Sequence, residues 1–282
     1  MPIEQTTTPA HTVTGGGGTQ LHVREWGRPD GPAILLIHGW SGSHQAWRRQ
    51  VEGPLAGEFR LVALDLRGHG MSQRSEDPAD YADGELWADD VAAVIDQLSL
   101  RQPVLVGWSY GGFVVADYLR VHGEAAVAAV VLVDAAMLLT EQFDHIGPGF
   151  LENAPDTCSG DLPTVIAGVR RFVRALTAEP MSTEDHETVL GFMMAVPAEV
   201  RGALLGRGRL DFDDVLAGLT VPVLVTHGRQ DTVVLPSMAE HVLDVCPTAV
   251  VSWYDRVGHA PFLEDPERFD RELADLTRQV RG

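Results

Sequence analysis

The stretch Val104-Leu105-Val106-Gly107-Trp108-Ser109-Tyr110-Gly111-Gly112 sets a hydroxyl between glycines, after a short apolar run and before a mostly apolar helical one. A chain that turns sharply there from strand to helix presents Ser109 at the tip of the turn. Free N–H groups at the helix start favour negative charge at that spot. A serine hydroxyl is a weak nucleophile until a positioned base takes its proton. Of eleven histidines, His259 in Val257-Gly258-His259-Ala260-Pro261-Phe262 follows the last strand-like run and precedes the last helix, which puts it at the same sheet edge as Ser109. An imidazole base needs a carboxylate to fix its tautomer and stabilise the imidazolium. Asp231, shortly after the run 223–225, is the preferred acid, and Asp134, just beyond 130–133 on the same edge, is its rival. Attack on a carbonyl develops an oxyanion that needs preorganised N–H donors. The backbone N–H of Tyr110, next after the nucleophile, and that of Trp40 in His38-Gly39-Trp40 are the two candidates. The side chains of Trp40, Trp108 and Tyr110 flank these groups and are expected to line an apolar substrate pocket.

Short apolar runs alternating with amphipathic helical stretches must position these groups, a pattern that argues for a mostly parallel sheet covered by helices. Residues 21–26 alternate like a strand with one solvated face, whereas 33–37 (AILLI) read as a strand buried on both faces. Residues 61–64, 104–106, 130–133, 223–225 and 250–254 continue the series. Helices are predicted over 85–98, 113–121, 236–245 and 266–280. From 136 to 213 no strand-like run occurs; helical pieces over 162–176, 183–196 and 198–205 follow one another between Pro and Gly punctuation. Inserted between two strands of a parallel sheet, this segment should sit above the carboxyl edge, where ligands of open α/β sheets bind. Its Phe143, Phe150, Phe172, Phe192, Met193 and Met194 are packing residues of which some should face the pocket.

Taken together, His38-Gly39-Trp40, the segment 65–72 (DLRGHGMS), 107–112, 228–231 and 258–266 resemble the α/β-hydrolase superfamily over roughly residues 20–280, most weakly across the cap. The resemblance implies an α/β fold with a mostly parallel central sheet flanked by helices and a helical cap inserted after the sixth strand. The whole chain, 1–282, is then one domain with 136–213 as its cap. Within the superfamily, the HGW block and compact cap look most similar to carboxylesterases, lactonases and cofactor-free haloperoxidase (perhydrolase)-like enzymes. The implied activity is hydrolysis of a small or medium carboxylic ester, or a lactone, with no metal or organic cofactor. His38, Arg67 and His69 are expected to fix loops and not to react.

Departures from related chemistries narrow the reaction. Epoxide hydrolases and haloalkane dehalogenases of this fold use a carboxylate nucleophile where this chain has Ser109, and the cap carries no Tyr. Carbon–carbon bond hydrolases keep the serine but usually place Asn beside the motifs, whereas the only Asn here is Asn153, in the cap. That reaction and a slow-turnover ligand-sensing or binding protein are the alternatives.

A net charge of −19, with all 21 cations Arg, disfavours nucleic-acid and anionic-membrane partners and leaves a small molecule as the expected one. No run approaches the roughly 20 apolar residues of a membrane span, and the first 18 residues lack the n- and h-regions of a signal peptide. The expected location is the cytoplasm. Cys158 and Cys246 read as two free thiols. Oligomeric state is not legible from these patterns.

Overall fold

The computed structural model describes residues 9–281; residues 1–8, on which part of the signal-peptide reading falls, lie outside the described residues. Its strands are β1 (Ala10–Thr14), β2 (Gln20–Gly27), β3 (Ala33–Ile37), β4 (Arg60–Leu64), β5 (Val104–Trp108), β6 (Ala129–Val133), β7 (Leu138–Leu139), β8 (Leu210–Asp211), β9 (Val223–Gly228) and β10 (Ala249–Tyr254). Eight of them form one sheet in the order β1-β2-β4-β3-β5-β6-β9-β10. The β1–β2 and β2–β4 pairs are antiparallel and the remaining pairs parallel. β3, β5 and β6 are buried along their whole length, which is why their sequences run continuously apolar. β2 buries alternate residues, matching its period of two.

β1 is not among the strands expected from the sequence. Only Val13 of AHTVT is buried, so nothing in its pattern separates it from loop, and pairing with β2 makes it a strand. Counting β1, β6 is the sixth strand, and the cap follows it as expected. Cap helices Leu162–Ala175, Thr183–Ala195 and Ala198–Leu205 fall within one residue of the predicted segments. Asp161 and Ser182 cap the first two, each side chain accepting a backbone N–H of the opening turn. The cap is not strand-free, however. β7 and β8 pair antiparallel across its neck, Leu138 with Asp211 and Leu139 with Leu210. Two residues are too few for an alternation to be read.

Among the described residues, no single helix is long and apolar enough to cross a membrane. The pair Thr183–Ala195 and Ala198–Leu205, bent by 80°, reaches that length and composition only jointly. Cys158 and Cys246 are free thiols.

The sheet register determines where the site lies. Ile37 pairs with Gly107, Trp108 with Val133, and Val133 with Thr226. Continued by this register, Gly39, Ser109, Asp134 and His227 therefore lie along one sheet edge.

Candidate active site

Ser109 leaves β5 with φ +55°, a left-handed conformation rare for a residue with a side chain. Such strain costs on the order of 1–3 kcal/mol and persists only where the surroundings over-determine it. Here the Ser109 N–H donates to Val133 O at 3.0 Å, and its carbonyl accepts from Gly112 and Ala136 at 2.9 and 3.0 Å. A Cβ on Gly107 would come within 2.7 Å of Gly111 O, and one on Gly111 within 2.6 Å of Ile37 O. Those glycines allow the sharp turn, and helix Gly111–His122 starts directly from it. A Cβ on Gly39 would lie 2.8 Å from Ser109 Cβ, so this glycine lets the 38–41 loop press against the serine. Among the described residues, neither the Trp40 N–H nor the Tyr110 N–H has a backbone acceptor. Buried N–H groups are rarely left that way.

His259 is fully buried. Its Nδ1 lies 2.7 Å from Asp231 Oδ2, and its Nε2 is buried without a hydrogen-bond partner among the described residues. The other Asp231 oxygen accepts the Val233 and Val234 N–H groups at 2.7 and 3.2 Å, which locks the carboxylate's rotation. Burial pushes the Asp231 carboxyl well up while those N–H donors pull it back. Burial likewise disfavours the imidazolium and lowers His259 to about 4, against the opposing charges of Asp134 and Glu264.

Trp108 braces the His259 loop: its Nε1 donates to His259 O at 2.7 Å, and its ring packs edge-on against Phe262. Glu264 holds the same loop against the cap, accepting the Gly258 N–H at 2.7 Å and the cap's Ala178 N–H at 2.8 Å.

Ser109 opens on a cleft between core and cap, walled by Trp40, Tyr110, Phe113, Ile146, Phe150 and Leu204 among others, with no Asp, Glu, Arg or His. Trp40 and Tyr110 both line this cleft. Trp108 does not line this cleft; it is turned toward the His259 loop. Of the six cap residues singled out, only Phe150 reaches the cleft, with Phe172 packed edge-on behind Trp40 and Phe143 largely exposed.

The loop histidines behave as expected. His38 Nε2 accepts the Leu66 N–H at 3.0 Å, so Nδ1 carries the proton and donates to Gly39 O at 2.8 Å. His69 Nε2 accepts the Ser41 N–H at 3.2 Å. Arg67 forms a buried fork on Asp90, with both contacts at 2.8 Å.

Two groups have the donor types of a metal site, His22/His44/Asp65 and Asp134/His227/Asp231. In each, hydrogen bonds already occupy carboxylate oxygens. Asp65 accepts from the His44 N–H, His44 Nδ1 and the Met71 N–H. Asp134 Oδ1 accepts the Gly228 N–H at 2.9 Å, and both Asp231 oxygens are engaged.

Arg201 and Glu264 are structurally prominent but were not singled out from the sequence. Glu264 lies inside the segment 258–266, whereas Arg201 is one arginine on a cap helix with no spacing signal.

Sheet order, strained serine turn and buried imidazole–carboxylate pair together match an α/β-hydrolase arrangement. Comparison with known proteins agrees. The family profile described as alpha/beta hydrolase fold matches residues 32–167. The chain is 31% identical to a non-heme chloroperoxidase of Streptomyces lividans, over 93% of this chain and 97% of that one. It is 32% identical to a bifunctional esterase/perhydrolase of Acinetobacter calcoaceticus, over 79% and 82%. A crystal structure of a putative aryl esterase from Burkholderia cenocepacia superposes with a TM-score of 0.92 at 35% identity, covering 96% of this chain and 99% of that one. The chain belongs to the α/β-hydrolase superfamily.

Proposed function

We propose that the protein hydrolyses small or medium uncharged carboxylic esters, with lactones as the second substrate class, through Ser109, His259 and Asp231. The observation that carries this reading is the buried His259, with Nδ1 held 2.7 Å from Asp231 and Nε2 unpartnered. Ser109 Oγ attacks the carbonyl carbon and its proton passes to His259 Nε2. The oxyanion rests between the N–H groups of Trp40 and Tyr110. His259 then protonates the departing alkoxide. Water, deprotonated by the same nitrogen, attacks the acyl-enzyme and restores the serine. The balance is ester plus water to acid plus alcohol. Asp231 keeps the Nδ1 proton in place, so Nε2 is the basic nitrogen. The cap works with the core as part of one catalytic domain, closing the cleft over the acyl group. Among the named relatives, an esterase/perhydrolase and a putative aryl esterase support ester chemistry.

A cleft without a cation should reject a charged acyl group, because burying an unpaired carboxylate costs several kcal/mol. A nitrophenyl ester series tests this. kcat/KM for the neutral butyrate is expected to exceed that for the hemisuccinate by about 100-fold or more, equivalent to roughly 3 kcal/mol. Equal rates would remove the assignment of the acyl group to this cleft. Release of one equivalent of nitrophenol followed by a stall would identify a slow-turnover binding protein instead.

The pH profile is the second check. A general base works in its neutral form, and burial lowers the His259 imidazole to about 4. Activity should therefore persist below the ordinary histidine pKa of about 6.5, with kcat/KM at pH 5.5 close to its neutral value. An acid limb at or above 6.5 would show that the ring is not held in this desolvated state.

A further inference from the structure

Arg201, on cap helix Ala198–Leu205, is only 1% exposed. Its guanidinium spends every hydrogen bond on uncharged acceptors: Nε on Ser41 Oγ at 2.9 Å, Nη1 on Thr157 O at 2.7 Å and Nη2 on Met193 O at 2.5 Å. Among the described residues no carboxylate forms an ion pair with it. Burying a charge without a counter-ion is costly, and a well-packed apolar side chain is often the more stable choice. Stability alone therefore does not account for an arginine here.

What it touches does. Ser41 follows Trp40 directly and adopts φ +63°, a second strained non-glycine position near the site. The Ser41 N–H donates to His69 Nε2, while its hydroxyl accepts from Arg201 Nε and donates to Met193 O at 3.4 Å. The Trp40 indole N–H donates to the backbone carbonyl of Arg201 itself at 3.2 Å. Both residues of the loop that carries the proposed oxyanion donor are thus fastened to one residue of the cap.

We propose that Arg201 is a positioning residue for acyl transfer: through Ser41 and Trp40 it makes the aim of the Trp40 N–H depend on the docked cap. The inference rests on the ester-hydrolase reading, in which that N–H meets the oxyanion. A misaimed oxyanion donor weakens the transition state and leaves ground-state binding almost untouched.

The test compares wild type, Arg201→Met, Arg201→Lys and Ser41→Gly. The readouts are kcat and KM on nitrophenyl butyrate, Ki for an aryl trifluoromethyl ketone and the thermal transition. Ser41→Gly removes the hydroxyl link while tolerating the left-handed backbone. Arg201→Met is expected to lose about 30- to 100-fold in kcat, in the range of a weakened oxyanion donor. KM should stay within about threefold, and Ki for the ketone should rise by the same factor as kcat/KM falls. Arg201→Lys should recover part of the loss, because an ammonium keeps the charge but not the planar fork. Ser41→Gly should lose kcat in the same sense.

A folded Arg201→Met with kcat within about threefold of wild type, or with only its KM or melting temperature changed, overturns the proposal. If Arg201→Met does not fold, Ser41→Gly decides: unchanged kcat and Ki overturn it, and parallel losses support it. A wild-type protein that neither turns over the ester nor binds the ketone overturns the ester-hydrolase reading, and this inference with it.

Discussion

Alanine at position 109 is expected to cut kcat for nitrophenyl butyrate by about 10⁴- to 10⁶-fold, as removal of an activated nucleophile does elsewhere, with little change in thermal stability. The two halves of that expectation have separate origins. Ser109 Oγ is the group that forms the acyl bond in the proposed reaction, and no neighbouring side chain can replace it in the cleft, whose other walls are apolar apart from the Tyr110 hydroxyl. Oxyanion donors and imidazole would still act on bound water, which leaves the residual catalysis over solution that triad deletions typically show. Stability should hold because alanine and serine pay a similar penalty at φ +55°, and the backbone bonds that impose the turn run through the main chain. A fluorophosphonate should add one mass equivalent to wild type and none to Ser109→Ala. Turnover within about tenfold of wild type would remove Ser109 from the mechanism.

Legibility from sequence followed a physical line. β3, β5 and β6 could be read because burial on both faces forces an unbroken apolar run. Ser109, His259 and Asp231 are candidates from the sequence because each comes shortly after a strand, and the structure places His259 Nδ1 2.7 Å from Asp231 Oδ2. β1 and the β7–β8 ribbon could not be read. β1 buries only Val13 and is a strand through its pairing with the neighbouring β2, while β7 and β8 are two-residue strands whose partners are remote in sequence. The orientation of Trp108 was also hidden. An aromatic ring beside a nucleophile suits a pocket wall equally well, and the deciding fact is an indole N–H that finds the His259 carbonyl 151 residues away. Arg201 marks the limit in the same way: its partners come from three separate segments, at Ser41, Thr157 and Met193.

The choice between the two carboxylates turns on where an amide nitrogen would be forced to sit. In Asp231→Asn the carbonyl oxygen is claimed by the Val233 and Val234 N–H groups, which in the native protein donate to Asp231 Oδ1. The new NH₂ is then turned toward His259 Nδ1, 2.7 Å from the present Oδ2. An NH₂ donates, so Nδ1 must become the acceptor and the ring proton moves to Nε2. That nitrogen can no longer take a proton from Ser109. A loss of about 10⁴-fold in kcat is expected, the size seen when a triad histidine is held in the wrong tautomer.

Asp134 sits differently. Its Oδ1 accepts the Gly228 N–H at 2.9 Å, its Oδ2 is buried without a hydrogen-bond partner among the described residues, and it lies 3.8 Å from a His227 ring nitrogen. Burial first, and then the Asp231 charge, push its carboxyl well above the ordinary range. Asparagine mimics a neutral acid in shape and keeps the acceptor for Gly228. Asp134→Asn should therefore cost less than about tenfold, a change too small for a lost triad member. Steady-state kinetics of the two variants, with the cooperative thermal transition confirmed for each, decides the matter. Should Asp134→Asn be the crippled enzyme and Asp231→Asn the active one, the carboxylate role passes to the end of β6, and the His259–Asp231 contact becomes a feature of loop packing.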